Sequence, residues 1–84
     1  MPPGKRSHLP KALGEELRKA RSHAGYSQEE VGFRAELDRT YISYLENGHK
    51  SPTVDSLFRI CRVLGVTASE LLLRVERSLE SRTK

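Results

Sequence analysis

Residues 27–48 read SQEEVGFRAELDRTYISYLENG. Helix-start and helix-stop chemistry each occur twice in this stretch. Ser27 and Glu30 have the S-x-x-E spacing of a capping box, in which each side chain satisfies a backbone donor at the helix start. Val31 and Ala35 then give a short buried stripe. The segment Glu36-Leu37-Asp38 interrupts the pattern, and Asp38 is suited to cap a following helix, one that turns Ile42 and Leu45 inward. Asn47-Gly48 ends it, since both residue types tolerate the left-handed conformation. About three residues join the two helices, and so short a link forces a sharp angle between them, the helix-turn-helix arrangement.

Working outward, Leu13, Leu17, Ala20 and Ala24 recur at intervals of three and four, which predicts a helix before this stretch. Pro10 suits its first turn, where the missing N–H costs nothing, and Gly25 ends it. The first ten residues hold three prolines, one glycine and Lys5-Arg6, so residues 1–10 are expected to be a mobile basic tail. After residue 48 a loop leads to Thr53, a cap for a fourth helix lined by Leu57, Ile60, Cys61 and Leu64. Gly65 and Val66 suit a Schellman stop. Thr67 and Glu70 form a second capping box, opening a fifth helix through Leu71, Leu72, Val75 and Leu79, with 80–84 frayed behind it. The expectation is an all-α domain of five short helices over residues 11–79, with no strand and no internal repeat.

An 84-residue chain suffices for one small domain and one modest core. At 36% hydrophobic and 31% charged residues it reads as globular and soluble, and its net charge of +4 favours polyanions. Nucleic acid and an anionic membrane surface are the natural partners, a basic surface with no particular partner being the plainer reading. With one cysteine no intrachain disulfide forms, which fits a reducing compartment. No apolar run approaches the ~18 residues of a spanning helix, and the N-terminus lacks the apolar stretch of a signal peptide. A cytoplasmic protein without membrane association is expected. His8, His23, His49 and Cys61 have no metal-ligand spacing. No histidine is placed to activate a serine or the cysteine, and no glycine-rich phosphate loop occurs. Neither metal, cofactor nor enzymatic activity is therefore expected, and Cys61, on an apolar helix face, reads as a buried thiol.

The third helix places two of the chain's five aromatic residues, Tyr41 and Tyr44, beside Arg39, Thr40 and Ser43. With Ile42 and Leu45 inward, Arg39, Thr40, Ser43 and Tyr44 share an outward strip. The second helix of a helix-turn-helix can lie in a DNA major groove while the first crosses the backbone. Arginine reaches guanine O6 and N7 bidentately, and threonine and serine serve bases or phosphates. Tyr44 can offer its ring to a thymine methyl and its hydroxyl to a phosphate. Tyr41 points between strip and core, to pack on the fourth helix or touch a phosphate. Taken singly, Arg39 and Tyr44 would be ordinary surface; the register of the whole stretch gives them their meaning.

Four segments carry a resemblance in register: S-Q-x-x-V-G, D-R-T-Y-I-S-x-L-E-N-G, S-P-T-x-x-x-L and L-G-V-T-x-x-E-L-L. Together they resemble the Cro/cI-type (lambda-repressor-like, xenobiotic-response-element type) helix-turn-helix domain over Ser27 to Leu72. The run LDRTYIS also resembles the small stand-alone controller proteins of restriction-modification systems. The resemblance implies a five-helix lambda-repressor-like DNA-binding domain with residues 39–47 as recognition helix. It implies that Gln28 touches a phosphate and braces that helix, and that Gly32 fills the small-residue site where the two motif helices cross. Arg39, Thr40, Ser43 and Tyr44 would meet base edges or nearby phosphates. Asn47, His49 and Lys50 would grip the backbone, a solvated loop being an equal reading for the last two. Arg21 and Glu46 would form a structural pair between the first and third helices. One departure is Glu36, at the turn position often filled by glycine; with positive φ there, a non-glycine residue costs about 1 kcal/mol.

The fifth helix has more leucine and valine than one buried stripe needs. Leu72, Val75 and Leu79 are expected to meet a second copy, because a single such domain offers few base contacts and two-fold pairing doubles them. The functional expectation is a sequence-specific regulator of transcription, a repressor by occupancy, binding double-stranded DNA at a (pseudo)palindromic operator as a homodimer. The alternative is an antitoxin-like protein-interaction module with secondary DNA binding. Phe33, lying off the Val31–Ala35 stripe, is then a candidate contact, or else a half-exposed edge of the core.

Overall fold

The computed structural model describes residues 8–82. Its elements are α1 (Leu9–Ala24), α2 (Gln28–Ala35), α3 (Arg39–Glu46), α4 (Val54–Leu64) and α5 (Ala68–Arg82), with no strand among the described residues. The basic tail expected at the N-terminus lies mostly outside the described residues. Helix α1 begins two residues inside that expected tail, with Pro10 in the first turn where no intrahelical N–H is missed. Helix α5 runs three residues past the expected limit at Leu79.

Local chemistry sets the helix ends. The Ser27 hydroxyl accepts from the Glu30 N–H at 3.0 Å while the Glu30 carboxylate accepts from the Ser27 N–H at 2.8 Å. Thr67 and Glu70 repeat this box at α5. Asp38 caps α3 by accepting from the Thr40 N–H at 2.8 Å, and Thr53 caps α4 by accepting from the Ser56 N–H at 3.0 Å. Helices α1 and α4 stop at left-handed Gly25 and Gly65. At the end of α3 only Gly48 is left-handed, whereas Asn47 has φ −90° and ψ 2°. Asn47 is thus the last turn of the helix and not the reversal after it.

Helix α1 packs on α3, α4 and α5; α2 packs on α3 and α4; α4 also packs on α5. The shared core contains Leu13, Leu17, Val31, Ile42, Leu45, Leu57, Ile60, Leu64, Leu71 and Val75. The residues from Leu13 to Leu64 lie on the stripes predicted to face inward, Leu71 comes from the fifth helix, where no inner stripe is singled out, and Val75 is the residue expected to face a second copy.

Two glycines fix how closely α3 is held. A Cβ built on Gly14 would lie 2.4 Å from the Leu45 carbonyl oxygen and 2.5 Å from that of Glu46. One built on Gly32 would lie 2.7 Å from the Leu37 carbonyl oxygen and 3.3 Å from the Arg39 nitrogen. Real Cβ atoms essentially never come within 3.0 Å of such atoms, so α1 touches the end of α3, and α2 the turn that leads into it, backbone to backbone. Residues 36–38 make the turn between α2 and α3. Glu36 there has φ 60° and ψ 44°, and the Leu37 N–H donates to the Gly32 carbonyl at 2.8 Å. Glu36 thus adopts the left-handed conformation that glycine often supplies at this turn position.

Candidate nucleic-acid interface

Ile42, Leu45 and Glu46 are buried, which leaves Arg39, Thr40, Ser43, Tyr44 and Asn47 on one continuous surface. Arg39, Thr40, Tyr44 and Asn47 are exposed and Ser43 is partly so. The loop after α3 folds back on this strip. The His49 ring stands edge-on to Tyr44 at 6.0 Å, and Lys50 Nζ lies 5.5 Å from the Tyr44 ring centroid. The strip therefore has a cation at each end and an aromatic face between them.

The sole acid on α3, Glu46, is turned away from that surface. Its carboxylate accepts from Arg21 Nε at 2.6 Å, Arg21 Nη2 at 3.0 Å and Gln28 Nε2 at 3.0 Å, with Arg18 Nε at 3.5 Å. Burial pushes the Glu46 carboxyl upward, but the hydrogen bonds from Arg21, Gln28 and Arg18 and the charge of Arg21 outweigh it, holding the group below its usual range. The hydrogen bond to Glu46 likewise raises Arg21. Arg21 also donates through Nη1 to the Tyr26 carbonyl at 2.9 Å, tying the end of α1 to the start of α2. The expected Arg21–Glu46 pair is thus formed, and Gln28 makes the brace to α3.

Tyr41 takes the packing alternative. Its hydroxyl bonds Ser56 Oγ on α4 at 2.9 Å, and its ring lies against the core. That placement follows from its position on α3, one residue before Ile42 and facing α4.

On α5 the expectation is corrected at Val75. It is 1% exposed and belongs to the monomer's own core, on a helix packed by α1 and α4. Leu79 is partly buried against the same core. Leu72 and Leu73 are 41% and 46% exposed and form the outward apolar surface. Leu73 was not expected there: with apolar residues at 71, 72, 73 and 75, spacing alone selects no single stripe. Phe33 is 85% exposed, which removes the core-edge reading. Phe58 and Val54 on α4 are exposed as well, and neither had been noted. Their position off the Leu57–Ile60–Cys61–Leu64 stripe was the available signal. Cys61 is buried, and burial pushes its thiol pKa up. Among the described residues no cluster of His, Cys, Asp and Glu could hold a metal, and no helix is long and apolar enough to cross a membrane.

Comparison with known proteins matches residues 17–71 to the helix-turn-helix family. The control protein C.BamHI of Bacillus amyloliquefaciens is 38% identical over 61 residues, covering 71% of this chain and 75% of that protein. Among solved structures, the clp gene regulator ClgR from Corynebacterium glutamicum superposes with a TM-score of 0.87 at 26% identity, over 94% of this chain and 84% of that one. The restriction-modification controller protein C.AhdI from Aeromonas hydrophila superposes with a TM-score of 0.71 at 30% identity, over 73% and 92% of the two chains.

Proposed function

Because the chain belongs to the Cro/cI-type helix-turn-helix family of DNA-binding transcriptional regulators, we propose that it acts as a homodimer on a (pseudo)palindromic operator. Each α3 enters a major groove, with the two half-sites about one helical turn apart. Arg39, Thr40, Ser43 and Tyr44 meet base edges or the phosphates beside them. Gln28, Asn47, His49 and Lys50 hold the backbone, and occupancy of the operator represses transcription in the cytoplasm. The observation that carries this reading is the α3 strip: exposed, cationic at both ends, and with its one acid turned inward under two arginines. The resemblance to C.BamHI and C.AhdI supports a small regulator of the controller kind.

Pairing is assigned to the outward face of α5. Leu72 and Leu79 are seven residues apart and lie on one edge of that helix, with Leu73 beside them. Selection from random duplex DNA, together with sedimentation of the purified protein, tests the reading. The expected result is a two-fold symmetric sequence bound by a dimer. An asymmetric site bound by one copy, or no selected sequence, would overturn it.

A second reading is favoured by Phe33, which is exposed on α2. It makes α2 a protein contact, as in an antitoxin-like module. Phe33→Ser would then abolish co-purification with a toxin and leave DNA binding intact.

A further inference from the structure

Arg18 had no expected role, yet it reaches from α1 to the last turn of α3. Its Nη2 donates to Asn47 Oδ1 at 2.9 Å, and its Nε faces Glu46 Oε1 at 3.5 Å. Asn47 in turn donates from Nδ2 to Ser43 Oγ at 3.3 Å. Three side chains on two helices thus form one directed chain of hydrogen bonds, and it ends in the middle of the strip assigned to DNA.

The direction has a chemical consequence. An asparagine amide has an acceptor end and a donor end, and a serine hydroxyl has one hydrogen and two lone pairs. A guanidinium only donates, so Arg18 commits the Asn47 oxygen. The Asn47 NH₂ is then the end facing Ser43, and Ser43 Oγ is the acceptor. The hydroxyl is left with its hydrogen to give, and no acceptor for it occurs among the described residues. We propose that Arg18 is a positioning residue that, through Asn47, sets Ser43 as a hydrogen-bond donor toward the DNA.

A donor at that place is selective. In the major groove guanine presents N7 and O6, thymine O4 and adenine N7 as acceptors, whereas cytosine presents only a donor, its N4 amino group. With one lone pair committed to Asn47 and its hydrogen free, Ser43 favours guanine, thymine or the N7 of adenine at the position it faces over cytosine, which only the remaining lone pair is left to accept from. Arg18 would act on sequence preference without touching a base. It is suited to this because its side chain is 52% exposed and its loss leaves Arg21 and Gln28 on Glu46.

This inference rests on the assignment of α3 as the reading helix, so the test separates the two. Base preferences are measured on a randomised operator for the full-length protein and for Arg18→Met, Asn47→Ala, Ser43→Ala and Arg39→Ala. Arg18→Met keeps the length of the stem and removes every donor. The expected result is a loss of roughly 3- to 10-fold in discrimination against cytosine, at the same operator position that Ser43→Ala relaxes. Melting temperature should be nearly unchanged. Arg18→Met combined with Asn47→Ala should lose no more than either alone, and Arg18→Lys, which keeps a donor, should retain part of the preference. Equal weakening on all sequences with a salt slope lowered by about one would make Arg18 a phosphate contact and overturn the proposal. So would unchanged preference in Arg18→Met when Ser43→Ala does relax a position. If neither Ser43→Ala nor Arg39→Ala alters any preference, the reading of α3 itself fails and the relay with it.

Discussion

Arg21 and Glu46 meet in a two-bond fork, Nε to Oε2 at 2.6 Å and Nη2 to Oε1 at 3.0 Å, joining α1 to the last turn of α3. Both side chains are largely out of solvent. Removing one partner of a buried pair leaves the other charged and unsatisfied, which costs ~3–5 kcal/mol. Arg21→Met should therefore lower stability in denaturant titration by about this amount. A change below about 1 kcal/mol would mean that Arg18 and Gln28 suffice to hold Glu46.

The same carboxylate gives a pH dependence. Burial raises the Glu46 pKa, and its hydrogen bonds and neighbouring charges lower it further than burial raises it. A folded-state pKa below the unfolded one stabilises the protein above the unfolded value, roughly 4.3. That contribution is lost as pH falls through the lower folded value. Glu30 and Glu70 are lowered as well, chiefly by the backbone hydrogen bonds of their capping boxes, and carry the same sign. Stability should fall from about pH 4.5 downward, and Glu46→Gln should flatten the fall. An equally steep acid limb in that variant would place the pH sensitivity elsewhere.

Glu36 occupies a left-handed conformation with φ 60°. Glycine adopts it without the clash between Cβ and the following carbonyl, at some cost in unfolded-chain entropy. Glu36→Gly should raise stability by up to about 1 kcal/mol and leave DNA affinity intact. Thermal unfolding decides this, and a lower melting temperature would show that the Glu36 side chain makes compensating contacts.

The helix ends were legible because they are local. Ser27-x-x-Glu30, Asp38, Thr53 and Thr67-x-x-Glu70 carry their partners within three residues, so spacing alone predicts the bond. The strip on α3 was legible for a related reason: Ile42 and Leu45 define the inner side of a short helix and leave one outer side. Helix α5 offered no such choice. Leucine follows leucine from 71 to 73, and only the packing of α1 decides that Leu71 and Val75 go in while Leu72 and Leu73 stay out. Arg18 was invisible because its partner Asn47 lies 29 positions away. Its spacing of three from Arg21 did put the two on one face, a hint that means little until α3 is docked there.

On α5 two substitutions separate core from pairing surface. Val75→Asp places a charge where the side chain is 1% exposed, and an unpaired buried ion costs several kcal/mol. The domain should unfold, with loss of helical circular dichroism. Leu72→Asp adds a charge at an outward position and should yield a folded monomer that binds one half-site weakly. A Leu72→Asp protein that sediments as a dimer would move the pairing surface off this edge of α5.

Arg39 and Lys50 mark the two ends of the strip and should behave differently on DNA. Arg39→Ala should cost ~1–3 kcal/mol and relax preference at one operator position. Lys50→Ala should weaken all sequences alike and lower the salt slope by about one. Binding across a salt series on matched and scrambled operators distinguishes them, and exchanged behaviours would reverse the assignment of base and phosphate contacts.

Backbone touches backbone at both ends of α3, where Gly14 meets the carbonyls of Leu45 and Glu46 and Gly32 meets the start of the helix. Contact that close leaves little room for the helix to tilt or slide when a strip residue is exchanged. New operator preferences can then arise by replacing Arg39, Thr40, Ser43 or Tyr44 one at a time, each change felt at its own base pair. Diverging copies of this protein would inherit a common cradle and differ in what it holds out.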